Sequence, residues 1–137
     1  MALNVESAIA EALFAHLSGM TDGWPVAWEN SAFDPPEPQY YYRVQLIPGP
    51  TESAHTDATQ YRWFGVFRVF VVVPQKTGSI GALDQAGRIV ERFADLSEIT
   101  STVGFIQITR RPEVMGGLTD DQTYRVPVDI RYELFSN

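Results

Sequence analysis

The sequence YRWFGVFRVFVVV, residues 61–73, decides the fold of this chain. It is about twice as long as a typical strand, and nearly all of its residues favour β structure. Because successive side chains of a strand point to opposite faces of the sheet, the odd positions form a wholly apolar face. The even positions mix apolar residues with Arg62 and Arg68. We therefore predict a central strand with one face in the core and the other face only partly covered.

The same alternation predicts further strands around this one. Residues 40–47 and 123–134 alternate cleanly and predict two more long strands. The side chains predicted to face the core are Tyr42, Val44, Leu46, Tyr124, Val126, Val128, Ile130, Tyr132 and Leu134. Pro127 lacks a backbone N–H donor, which favours an edge position or a bulge for the last strand. Residues 24–28 and 103–109 predict two shorter strands.

Apolar residues at helical spacing predict two amphipathic helices. The first follows Asn4 as its N-cap and stops at Gly19. The second begins after Ser79 and runs to about Leu96, and a glycine in its apolar stripe indicates close approach to the sheet. That stripe is Leu83, Ala86, Gly87, Val90, Phe93 and Ala94. The order of elements predicts an α+β fold: one domain, residues 1–137, with a mostly antiparallel sheet and both helices on one face.

The acidic charge lies in the first part of the chain. The formal net charge is −7, and residues 1–60 hold eight acidic side chains and one basic side chain. Residues 61–137 hold nine of each and are neutral overall. An acidic chain is poorly suited to gripping nucleic acid through counterion release. The absence of cysteine excludes disulfides and thiolate metal sites, and we expect no signal peptide and no membrane span.

The side chains that could carry chemistry are scattered through loops. His55 and Asp57 lie in the loop of residues 48–60, but two ligands do not complete a metal site. The adjacent Asp120 and Asp121 follow two glycines, where aspartates more often cap a turn than form a catalytic pair. No nucleophile and base are placed to act together. We therefore predict no enzymatic activity, no metal and no cofactor.

Two long polar loops, residues 48–60 and 110–122, are the predicted binding elements. Loops of this length are usually either functional or mobile, and both interpretations remain open for residues 48–60. Four arginines on the polar faces of two predicted strands are candidates for ion pairs with the acidic first half of another copy, although solvated strand faces explain them as well. The candidate interface residues are Arg62, Arg68, Arg125, Arg131, Glu52, His55, Asp57, Arg111, Asp120 and Asp121.

Several segments resemble, in their order and amino-acid sequence, those of the tail terminator family of long-tailed phages and gene transfer agents, the group that includes minor tail protein U. The resemblance covers nearly the whole chain. Before the second helix it rests on Val26-Ala-Trp28, Phe33, Pro35-Pro36, Tyr42-Arg43-Val44 with Leu46, Pro48-Gly49, the central strand to Val73 and the glycine-containing turn. After that alanine-rich helix it rests on Tyr124-Arg-Val-Pro-Val128 with Tyr132.

This resemblance implies a structural protein of the virion tail or neck that is assembled in the host cytoplasm. It implies a ring of six copies that caps the tail tube, stops its polymerisation and joins the head connector. The implied partners are further copies of the chain, the tube protein and the connector, while DNA only passes through the ring. Deletion of residues 51–58 is predicted to leave the fold intact but to give overlong or headless tails. Another neck or tail-completion subunit, or a cytoplasmic protein-binding adaptor, remains an alternative.

Overall fold

Two antiparallel strands of 14 residues each form the centre of the computed structural model, which describes residues 4–20, 23–53, 60–94, 98–120 and 122–136. In chain order the elements are α1 (Val5–Ser18), β1 (Val26–Ala27), β2 (Tyr41–Pro48), β3 (Glu52–Ser53), β4 (Tyr61–Pro74), α2 (Ile80–Arg92), β5 (Glu98–Ser101), β6 (Gly104–Ile108), β7 (Glu113–Val114), β8 (Leu118–Thr119) and β9 (Thr123–Ser136). The main strand order is β1-β2-β4-β9-β6-β5. Only β1 and β2 pair in parallel, so the predicted α+β class and the central position of β4 are confirmed.

The face of the sheet that carries both helices holds the main core, and we call it the helix-covered face. Phe67 at its centre is fully buried, with its ring centroid 5.8 Å from Phe14 of α1 and 5.7 Å from Phe93 after α2. Aromatic pairs at such distances add to the stability gained from burial alone. The buried strand residues of this face are Tyr42, Val44, Phe67, Val69, Val71, Val73, Val126, Val128, Ile130, Tyr132 and Leu134. The odd face of β4 is therefore core, as the alternation predicts.

The two helices are tied together at their C-terminal ends. His16 Nε2 donates to the backbone carbonyl of Arg92 at 2.8 Å, and Arg92 Nε donates to the carbonyl of His16 at 2.8 Å. At the other end of α1, the side chain of Asn4 accepts from Ser7 N at 2.8 Å and caps the helix as predicted. Burial lowers the pKa of His16, because the protein interior disfavours the charged ring.

The stripe predicted for α2 is correct for Ala86, Val90 and Phe93 but wrong for Leu83, Gly87 and Ala94, and the helix is shorter than predicted. The residues that α2 and its C-cap bury are Ala82, Ala86, Ile89, Val90 and Phe93. Leu83 is 44% exposed, and a Cβ added at Gly87 would meet no atom within 4 Å, so this glycine does not serve close approach to the sheet. The helix ends at Arg92 because Phe93 leaves helical geometry and its side chain enters the core.

The last strand, β9, lies inside the sheet, so of the two alternatives predicted from Pro127, an edge position or a bulge, the edge position is wrong. It pairs with β4 along its whole length and with β6, β7 and β8 on the other side. Strands β7 and β8 both pair with β9, and the segment between them interrupts this ladder next to Pro127. The carbonyl of Pro127 points to that side of β9, where it accepts from Met115 N at 2.8 Å. Because the N and O of one strand residue point to the same side, the missing donor faces this interruption.

Two predicted loops contain short strands, and one of the two strands of the β5–β6 hairpin was not predicted. The loop of residues 48–60 includes β3, which pairs with β4, and residues 110–122 include β7 and β8. Strand β5, with the sequence EITS, was missed because it is short and half polar; it pairs with β6 at the edge of the sheet. The strand predicted for residues 103–109 is confirmed as β6.

Candidate assembly face

The opposite face of the sheet is only partly covered, and we call it the second face. It consists of the even-numbered side chains of β4 and their neighbours on β2, β6 and β9. The face changes along the 14 residues of β4, from a loop-covered end near Pro74, through a row of ion pairs, to an exposed end near Tyr61. The odd-numbered face of β4 is therefore core, whereas the even-numbered face is divided among a small apolar cluster, ion pairs and an exposed end.

The loop-covered end holds a small second cluster of apolar side chains. Ala27, Tyr41 and Val72 are buried there, and Phe33 and Phe70 pack against them. The ring of Phe33 lies 4.9 Å from that of Tyr41 and anchors the loop between β1 and β2. This proline-rich loop is therefore packed against the sheet through Phe33.

Arg68 and Asp129 form the most buried ion pair of the second face. They lie directly opposite each other on β4 and β9, and Arg68 donates from Nε at 2.6 Å and from a terminal nitrogen at 3.0 Å. Asp129 is only 4% exposed, so this carboxylate depends on the arginine for its hydrogen bonds. The hydrogen bond to Asp129 raises the pKa of Arg68.

Arg62 joins two carboxylates near the exposed end. Its Nε donates to Glu133 at 2.5 Å, and a terminal nitrogen donates to Glu52 at 2.8 Å. The guanidinium carbon also lies 4.0 Å from the ring centroid of Phe64. The hydrogen bonds to Glu133 and then Glu52 raise the pKa of Arg62. The arginine therefore holds β3, β4 and β9 together at this end.

The other candidate arginines lie along the far side of β9. A terminal nitrogen of Arg125 is 3.3 Å from Asp120, and one of Arg131 is 3.7 Å from Glu113. The Nε atoms of these two arginines are buried and have no hydrogen-bond partner within the described part of the chain. Arg111 is exposed between β6 and β7.

The structure brings most of the predicted interface residues onto one face, but as pairs within the chain. Arg62, Arg68, Arg125 and Arg131 all contact carboxylates of their own chain. The inter-subunit ion pairs predicted for them stay a prediction, and such pairs would add to the internal ones. Three further candidates, His55, Asp57 and Asp121, lie outside the described residues.

Sequence reasoning missed the partners of these arginines and the aromatic residues of the exposed end. Alternation places Asp129 and Glu133 on the second face, but the pairs appear only once the register between β4 and β9 is known. Phe105 is 60% exposed and Phe135 is 45% exposed on the same face. One signal in the sequence pointed to this end: Phe135 falls on the polar side of the alternation that runs through residues 123–134.

The arrangement is suited to binding protein surfaces. Among the described residues no three His, Asp or Glu side chains are grouped to hold a metal ion. No helix in the described ranges is long and apolar enough to cross a bilayer. Half-exposed arginines and exposed aromatic side chains are typical of protein interfaces. The second face is therefore the candidate functional surface.

Comparisons with known proteins agree with the resemblance predicted from the sequence. A solved structure, of a protein whose name states no function, has a TM-score of 0.70 and 29% identity, covering 93% of this chain and 91% of that chain. A comparison with curated proteins gives no match. The model of the family described as phage tail terminator protein matches residues 8–132. The predicted resemblance is confirmed, and the chain belongs to the phage tail terminator family.

Proposed function

We propose that six copies of this protein form a ring on the end of the phage tail tube, stop its polymerisation and provide the junction with the head connector. Membership of the tail terminator family supports a structural, non-enzymatic role in the virion tail. The proposed partners are neighbouring copies, the tube protein and the connector protein.

The observation that carries the proposal is the contrast between the two faces of the sheet in a chain of this family. The helix-covered face already closes a complete core, so the domain needs no partner to bury its main apolar surface. The second face presents arginines with side-chain exposures of 31 to 39% and two exposed aromatic rings. Such a surface is available to neighbouring chains or to the lumen of a ring.

A ring also suits the charge of the chain. A head-to-tail contact between identical subunits closes into a ring when the rotation per subunit fits. DNA would pass through the lumen of such a ring, and a net charge of −7 opposes tight binding of its phosphates. We therefore propose passage of DNA without sequence-specific binding.

A tube-capping assay tests the function. Purified tail-tube protein is polymerised with and without this chain, and tube ends and lengths are recorded by electron microscopy. The proposal expects a six-fold cap at one end and an arrest of growth. Circular dichroism establishes that the added chain is folded. If a folded chain neither binds tubes nor changes their length, the terminator function is wrong and a protein-binding adaptor becomes the preferred interpretation.

The loop of residues 48–60 is proposed to dock on the tube or the connector. Deletion of residues 51–58 is expected to give overlong or headless tails, but it also removes Glu52, a partner of Arg62. Glu52→Gln is the matched control, because it weakens that ion pair and keeps the loop. Normal tails with the deletion would contradict the docking role, whereas the same defect in both variants would assign the effect to the ion pair.

A further inference from the structure

The exposed end of the second face carries two aromatic side chains that the fold itself does not use. The pairing of Gln107 with Glu133, continued by two residues, brings Phe105 of β6 opposite Phe135 of β9. Phe105 is 60% exposed and Phe135 is 45% exposed. Exposed aromatic side chains beside charged groups are typical of the centres of protein interfaces. We call these two residues the aromatic knob.

The knob is held by a well-ordered hairpin. Ser101 Oγ donates to the carbonyl of Gly104 at 2.6 Å and accepts from Val103 N at 3.2 Å. Gly104 has a φ of 137°, a conformation that favours glycine, and an added Cβ would lie 3.3 Å from Leu134. Phe105 follows directly and is presented in a fixed position, which lowers the entropy lost on binding.

A recess lies at the opposite end of the β4–β9 ladder; its lining residues are polar apart from Gly78 and Tyr124, but their carbon atoms supply most of its exposed surface. Its lining residues are Gln75, Lys76, Gly78, Ser79, Thr119 and Tyr124. The recess has a volume of about 270 Å³. Benzene fits a closed cavity of about 150 Å³, so the recess, which is open to solvent on one side, is large enough in volume for a phenyl ring. Ile80, which follows the lining residue Ser79, is 71% exposed and extends the apolar surface at its rim.

The charges beside the knob and the recess are complementary. Glu98 and Thr100 alternate with the buried Ile99 and therefore lie on the same side of the hairpin as Phe105, which pairs with Thr100. Lys76 lines the recess. Neither Glu98 nor Lys76 forms a salt bridge with another described residue. Opposite charges at the two surfaces would steer their approach and fix their register.

We propose that the aromatic knob of one copy inserts Phe105 into the recess of the next copy, with Glu98 beside the neighbour's Lys76. The knob and the recess are different surfaces at opposite ends of the same ladder, so each copy offers one of each. Such a head-to-tail contact continues from copy to copy until a ring closes. This inference rests on the proposed ring and names the contact between its subunits.

Cysteine cross-linking tests the contact, since the chain has no cysteine of its own. Thr100→Cys beside the knob is combined with Ser79→Cys at the recess, and the double variant is treated with a short bismaleimide on tubes and in solution. Both positions are exposed, and the side chain of Ser79 makes no capping hydrogen bond. The inference expects a ladder of covalent oligomers up to the size of the ring. Pairing Thr100→Cys with Glu91→Cys, on the exposed side of α2, is the control and should give no ladder.

A charge exchange provides a second, independent readout. Glu98→Lys and Lys76→Glu are each expected to lower the fraction of capped tubes by about tenfold, because each places like charges at the contact. The double exchange restores opposite charges and is expected to return capping to within about threefold of wild type. Thermal unfolding midpoints of all three variants should match wild type, since both side chains are exposed.

The outcomes separate this contact from the function itself. Caps without a Thr100–Ser79 ladder would overturn the knob-and-recess contact and leave the terminator function in place. A ladder in solution without caps on tubes would support the contact and contradict the terminator function. If only tube protein is cross-linked to Thr100→Cys, the knob binds the tube and the proposed occupant is wrong. Failure of the double charge exchange to restore capping would also count against the contact.

Discussion

The two faces of strand β4 differ in what completes them. On the helix-covered face, Phe67 and its neighbours are buried by α1 and α2 of the same chain. On the second face, Arg62 and Arg68 keep about one-third of their side-chain surface exposed although both hold carboxylates. Strand β4 thus contributes one face to the core and leaves the other face available for assembly. Variants on the two faces should therefore affect different measurements.

The largest effect is expected at the centre of the helix-covered face. Phe67→Ala should lower the free energy of unfolding by about 3–5 kcal/mol, because it leaves a cavity among fully buried side chains. Chemical denaturation measures this loss. The control is Phe105→Ala on the second face, which should change stability by less than about 0.5 kcal/mol because Phe105 is exposed. Equal losses for the two variants would remove the distinction between the faces.

A smaller effect is expected at the buried ion pair of the second face. Asp129→Asn should lower the free energy of unfolding by about 1–3 kcal/mol, because Arg68 loses a charged acceptor while keeping part of its contact with water. The coupling is measured with a double-mutant cycle that includes Arg68→Met. Asp120→Asn is the exposed comparison, with an expected loss of less than about 1 kcal/mol. Absence of coupling between Arg68 and Asp129 would contradict the pair.

Two glycines should respond in opposite directions to the same substitution. An added Cβ at Gly65 would lie 2.5 Å from the carbonyl oxygen of Ile47 and 2.6 Å from the hydroxyl of Tyr132, so Gly65→Ala should destabilise by about 1–3 kcal/mol. At Gly87 the added Cβ meets nothing, and Gly87→Ala should stabilise the helix by about 0.5–1 kcal/mol. Thermal unfolding of both variants checks the signs. A destabilising Gly87→Ala would place that glycine against the sheet after all.

The smallest effect concerns the pH dependence of the helix-covered face. Burial, together with the charge of Arg92, lowers the pKa of His16 below its ordinary value of 6.5. The unfolded chain therefore binds a proton more readily, so stability should fall as the pH drops below about 6.5, until the folded pKa is reached. His16→Gln keeps an N–H donor and should reduce this slope. An unchanged slope in urea unfolding between pH 7 and pH 5 would contradict the account of His16.

The faces of the strands could be read from the sequence because the side-chain period of a strand is fixed at two. Of the side chains predicted to face the core in residues 61–73 and 123–134, Trp63 and Tyr124 are only partly buried and the other apolar ones are buried. The alternation did not predict the burial of Val72, Pro127 and Asp129 on the opposite face. The apolar stripe of α2 was predicted only in part, because its apolar residues spread over a wide arc of the helix and only packing decides that Ala82 and Ile89, rather than Leu83, are buried. Pro127 could not decide between the two predicted alternatives, because a missing donor can face either a sheet edge or an interruption in a ladder inside the sheet.

The surface was less predictable than the core. Arginines on the even positions indicated a polar face, but the pairs with Asp129, Glu133 and Glu52 require the strand register. Hairpin β5–β6 was only half predicted, so the exposure of Phe105 on it could not be foreseen. The family was predicted correctly from the resemblance, because sequence similarity along the whole chain carries more information than any single motif.

The most direct test of the central claim is a cryo-electron-microscopy reconstruction of tube ends in the presence of this protein. The account predicts one ring of six copies at one end, with the Phe105 end of each copy against the Tyr124 end of the next. Capped tubes should also be shorter than tubes grown alone. Tube ends that remain bare, or a cap in which both ends of the β4–β9 ladder face solvent, would contradict it.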